Sequence, residues 1–77
     1  MDRKRRQKLK EAARSLDVIA AAVGQILDKE QDCLENVPEN LMGSERYERS
    51  ESAAEYLTEA LDWLEEAKEN IMNAVSV

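Results

Sequence analysis

Seventy-seven residues carry eleven Lys and Arg against seventeen Asp and Glu, one Cys, no His, no Phe and a net charge of −6. A chain this short holds one small core at most, and lone Cys33 leaves no intrachain disulfide to reinforce it, while the absence of His removes the commonest metal ligand. No apolar run approaches the roughly 18 residues of a membrane span. No apolar stretch follows Met1-Asp2-Arg3-Lys4-Arg5-Arg6 to make a signal peptide, so the expectation is a soluble cytoplasmic protein with no membrane partner.

In the first half, apolar residues recur at Leu9, Leu16 and Val23 and at Ala12, Ile19, Ile26 and Cys33. This three-four alternation predicts one helix over about 3–35. Ala13, Ala20, Leu27 and Leu34 border the seam and make the apolar stripe wider than one partner helix covers. Cys33 reads as a buried, inert thiol. Gly24 costs roughly 1 kcal/mol relative to alanine in a helix, which suggests a closely approaching helix or a local bend.

Pro38 ends this helix, since it lacks an amide hydrogen and drives Val37 out of the helical region, and Asn36 can serve as the stop. Residues 37–43 then read as one short helical turn plugging the end of the bundle, with Leu41 and Met42 tucked beneath it and Gly43 giving a left-handed exit. Ser44 is a candidate N-cap, and Glu45 and Glu48 suit the N-terminal dipole of the next helix.

The second helix is predicted over about 45–75. Its seam alternates Tyr47, Ala54, Leu61, Lys68 and Val75 with Ser50, Leu57, Leu64 and Ile71. Alanine stands beside it at Ala53, Ala60, Ala67 and Ala74, a strict seven-residue repeat of small residues that lets another helix lie close. Tyr56 and Trp63 lie one heptad apart outside that column.

A linker this short forces the helices antiparallel. The predicted fold is all-α, a single domain over 1–77: a coiled-coil-like two-helix hairpin with its turn at 36–44. It also predicts that the basic start of the first helix lies beside Asp62, Glu65, Glu66 and Glu69. Apolar edges left over at Leu27, Leu34, Ala53, Tyr56, Ala60, Trp63 and Ala67 predict a homodimer forming a four-helix bundle.

Charge defines two further candidate surfaces. Residues 1–14 hold seven bases against two acids, and residues 15–77 hold four bases against fifteen acids. Arg3, Lys4, Arg5, Arg6, Lys8 and Lys10 form a phosphate-binding candidate, since lysine and arginine replace the counterions of nucleic acids, although the run also suits a structural or solubilising role. Glu48, Glu51, Glu55, Glu59, Asp62, Glu66 and Glu69 place nearly one carboxylate per turn on the second helix. That row reads as a solvated face, or as a mimic of a phosphate backbone that blocks the basic groove of a host protein.

No constellation for catalysis, metal or cofactor binding emerges. Carboxylate-bridged metal sites in bundles use a histidine, nucleophilic catalysis needs a base beside Ser or Cys, and phosphate loops need glycines.

Arg5-Arg6 followed by Leu9, the Glu30-Gln31-Asp32 end of the first helix, the turn Asn36-Val37-Pro38-Glu39-Asn40-Leu41, and Ser44-Glu45-Arg46-Tyr47 before an acidic Leu/Ala-rich helix together carry one resemblance. The chain resembles small helical-hairpin proteins of phages and prophages of gut-type Firmicutes. The resemblance implies a viral setting in a bacterial host cytoplasm and brings no binding residue with it. Three functions follow as expectations: a noncatalytic protein-interaction module, an anti-defence inhibitor that blocks a host nuclease or restriction or CRISPR complex, and a nucleotide or nucleic-acid binder working through the basic first helix.

Overall fold

The computed structural model, which describes residues 1–77, is a helical hairpin. Helix α1 (Arg3–Glu35) and helix α2 (Glu45–Ser76) pack together along their length and are joined through one 3-10 turn at Glu39–Leu41. The result is a rod of 59 × 15 × 13 Å between Cα atoms.

Local chemistry sets the helix ends. The Asp2 carboxylate caps α1 by accepting the Arg5 amide N–H at 2.8 Å. At the far end, the Asn36 amide N–H and its side-chain Nδ2 both donate to the Asp32 carbonyl, at 3.2 and 2.8 Å. The Ser44 hydroxyl accepts the Tyr47 amide N–H at 3.2 Å, and Glu45 and Glu48 occupy the first turn of α2. Two of the amides that every helix start leaves unpaired are thereby satisfied.

The turn departs from expectation in two respects. Gly43 does not take a left-handed conformation, because no residue of the chain has a positive φ. Leu41 and Met42 are about half exposed rather than tucked under the hairpin. A single three-residue turn is too short to fold back across the ends of two helices.

The predicted α2 seam faces α1: Tyr47, Ser50, Ala54, Leu57, Leu61, Leu64, Lys68, Ile71 and Val75 are all half-buried or buried. On α1 the outcome is different. The rows against α2 are Leu9-Leu16-Val23-Glu30 and Ala13-Ala20-Leu27-Leu34, whereas Ala12, Ile19, Ile26 and Cys33 are exposed. The seam of α1 is therefore shifted by one helical position from the one predicted. Leu27, buried to 8%, and half-buried Leu34 belong to the inside of the hairpin and are not free edges. Exposed Cys33 is likewise no core thiol.

Gly24 is not a point of close approach within the chain, since a Cβ there would meet nothing within 4 Å. The expected neutralisation of the basic start by Asp62, Glu65, Glu66 and Glu69 is also absent. The pairing Lys68–Asp17, together with the Arg6 guanidinium donating to the Val77 carbonyl at 3.2 Å, fixes the register. In that register residues 3–14 lie beside the last turns of α2, which carry no charged side chain after Glu69, while the four acids sit farther along the rod.

Candidate protein-docking face

A hairpin two helices wide has no layered core. Only Ala13, Leu27 and Ala54 are buried out of 77 residues, and each helix keeps a second apolar stripe in solvent. On α1 this stripe is Ala12, Ser15, Ile19, Ala22, Ile26 and Cys33. On α2 it is exposed Tyr56, Trp63 and Ala67 with half-buried Ala53 and Ala60 beside them.

Both stripes lie on the same broad side of the rod. Each sits about a quarter turn from its helix's contact seam, offset by the same rotational sense when each helix is viewed from its own N-terminus. Reversing one helix beside the other brings two such offsets to one face. The register places Ile19 level with the Trp63–Ala67 turn and Ile26 level with the Tyr56–Ala60 turn. Four large side chains thus form the middle of a continuous apolar surface. Tyr56 is 73% exposed, Trp63 62%, Ile26 54% and Ile19 48%.

The two aromatics have few local ties. The Trp63 indole Nε1–H donates to the Glu59 carboxylate at 3.4 Å, and the Tyr56 hydroxyl has no partner. Val18, 71% exposed, extends the apolar surface at the α1 edge.

Of the residues expected at an interface, Ala53, Tyr56, Ala60, Trp63 and Ala67 come together on this face, while Leu27 and Leu34 do not. Ile19, Ile26 and Ala22 are the additions. Their signal was present as a second heptad sharing the Leu9-Leu16-Val23 row, but the sequence offers no basis for deciding which flank of that row turns toward α2.

The charged surfaces surround the face without forming a compact site. Arg3, Lys4, Arg5, Arg6, Lys8 and Lys10 are all exposed, and among them Arg5 alone has a carboxylate within ion-pair range, Asp2 at 3.8 Å. Glu48, Glu51, Glu55, Glu59, Asp62, Glu66 and Glu69 are exposed and take part in no ion pair. No group of three or more His, Cys, Asp or Glu side chains is placed to hold a metal ion, and no helix is long and apolar enough to cross a membrane.

A cleft at the turn end, open to solvent, is lined by Leu34, Val37, Leu41 and Tyr47 together with the free thiol of Cys33 and the charged side chains of Glu30, Asp32 and Arg46. Comparison with protein-family models, with curated proteins and with solved structures returns no match for this chain.

Proposed function

We propose that the protein is a noncatalytic protein-interaction module that works by docking the Ile19–Ile26–Tyr56–Trp63 face against another polypeptide. The observation that carries this reading is the co-location of two largely exposed aromatics with two half-exposed isoleucines on one side of a rod. Contiguous apolar surface of this kind is costly in water and marks interaction sites, and large aromatics are the usual energetic anchors of such sites.

The test is the double variant Tyr56→Glu/Trp63→Glu. Both residues lie outside the hairpin seam, so the variant keeps its helical circular dichroism and loses every protein association that the wild type makes. Associations that survive both charges contradict the reading.

A second reading draws on the acidic row of α2. The carboxylates of Glu55, Glu59, Asp62, Glu66 and Glu69 project along the rod without cationic partners, which suits mimicry of a nucleic-acid backbone and occupation of a basic groove in a host nuclease or defence complex. A viral setting would give that activity a purpose. Its signature is binding that weakens steeply with salt and is abolished when these glutamates are replaced by lysine, with Tyr56 and Trp63 intact.

A further inference from the structure

We propose that the occupant of the apolar face is a second copy of this chain, seated with its long axis reversed so that the two turns lie at opposite ends of a four-helix bundle. This rests on the docking reading above and specifies the partner.

Three observations point to a reversed second copy. The first is the order of side chains along each stripe. A two-fold axis perpendicular to the rod pairs residue i with j and j with i, so a stripe that packs on its own reversed copy must read nearly the same in both directions. On α2 the stripe is Ala53, Tyr56, Ala60, Trp63, Ala67, which is symmetric in size about Ala60. On α1 it is Ala12, Ser15, Ile19, Ala22, Ile26, Lys29, Cys33, symmetric about Ala22 except where Lys29 answers Ser15. With Ala60 and Ala22 on the axis, Tyr56 meets Trp63 of the second copy, Ile19 meets Ile26, and Ala12 meets Cys33. The hairpin register sets Ala22 and Ala60 within one helical turn of a common level, so a single axis serves both stripes.

The second observation is charge. Residues 1–14 carry seven bases and two acids, and residues 28–51, around the turn, carry eight acids and three bases. Reversal brings the basic start of each chain level with the acidic turn end of the second copy, a source of counter-charge that the last turns of α2 do not provide. Arg46 and Arg49 fall beside uncharged Ala74 and Asn70 of the second copy. A dimer with both turns at one end would instead gather the two basic starts together.

The third is size. The rod's extents of 59 and 15 Å give a broad side of roughly 900 Å², close to the roughly 800 Å² that each partner contributes to a standard stable interface.

Sedimentation equilibrium of the purified chain at tens to hundreds of micromolar, combined with cysteine cross-linking, tests the arrangement. The expected mass is twice the 8.8 kDa of one chain. Trp63→Glu is expected to raise the dimer dissociation constant about 30-fold or more, as for an interface anchor. Ala12→Cys alongside native Cys33 is expected to give a covalent dimer on mild oxidation. Positions 12 and 33 lie about 30 Å apart on one helix, so the bond must join two chains. Wild type, with Cys33 alone, and Ala12→Cys/Cys33→Ser are expected to give none.

A monomer throughout the concentration range overturns the proposal, as does a dimer that cross-links through Cys33 alone. Neither result removes the docking reading, which fails separately if Tyr56→Glu/Trp63→Glu leaves a heterologous association intact.

Discussion

Lys68 Nζ donates to Asp17 Oδ1 at 2.8 Å, the one ion pair that joins α1 to α2. Lys68 occupies a seam position between Leu64 and Ile71, where a leucine would bury more apolar surface. A polar residue at such a position sacrifices some stability and fixes which turn of one helix stands beside which turn of the other.

The hydrogen bond that Lys68 donates to Asp17, then the negative charge of Asp17, with a further contribution from Glu65, hold the Lys68 pKa above its ordinary 10.5. A pKa raised on folding adds stability that is fully present below the ordinary value and is lost as pH climbs through the folded value. Chemical denaturation as a function of pH is therefore expected to show wild type losing stability above about 10.5 more steeply than Lys68→Met. Parallel curves for the two proteins would show that the pair contributes nothing in that range.

The assignment of the α1 seam makes adjacent residues respond differently. Leu27→Ala removes a buried side chain from inside the hairpin and is expected to cost about 2–5 kcal/mol at every protein concentration. Ile26, 54% exposed, touches the hairpin seam little, so Ile26→Ala is expected to alter stability in a concentration-dependent way through the second chain. Equilibrium unfolding at two well-separated concentrations distinguishes the two. Equal, concentration-independent losses would place both residues in the same seam.

Gly24 sits inside α1 with open space where a Cβ would stand. Gly24→Ala is thus expected to stabilise the protein by about 1 kcal/mol, by removing the backbone entropy that glycine loses on entering a helix. For a chain of this length the gain appears as a rise of roughly 4–8 °C in Tm. A fall in Tm would mean that another helix, from a partner, approaches the glycine closely.

Most of the hairpin was legible from residues. Pro38, Asn36 and Ser44 mark where the helices stop and start, because each acts through its own backbone or a bond three or four residues away. The α2 seam was legible because its apolar rows are bounded by acids on the outer side. The α1 seam was not, since Leu9, Leu16 and Val23 have apolar rows on both flanks. Which flank meets α2 depends on the hand of the hairpin, set by the path of residues 36–44 and not by any helix pattern. The charge arrangement is not legible for a related reason: counting acids on α2 says nothing of register, and the register places the basic start beside the uncharged last turns. Tyr56 and Trp63 were legible as edge residues, since they lie outside both the seam and the alanine column.

Ser44 is the hinge between turn and helix in energetic terms. Ser44→Ala removes the acceptor for the Tyr47 amide and is expected to cost about 1 kcal/mol, while Ser44→Asp retains the cap and adds a favourable charge at the N-terminus of α2. Thermal unfolding followed by circular dichroism should rank the three as Asp at or above Ser, with Ala below. An alanine variant as stable as wild type would show that the cap bond is replaced by water without loss.

Trp63 is the only tryptophan in the chain and lies near the centre of the apolar face, 62% exposed in the single hairpin. Its fluorescence across a dilution series of the purified protein reports directly whether a second copy covers that face. Rising concentration should shift the emission to shorter wavelength and protect the indole from iodide quenching, with a midpoint matching the sedimentation dissociation constant. A water-like, freely quenched spectrum at every concentration would show that no second copy covers the face.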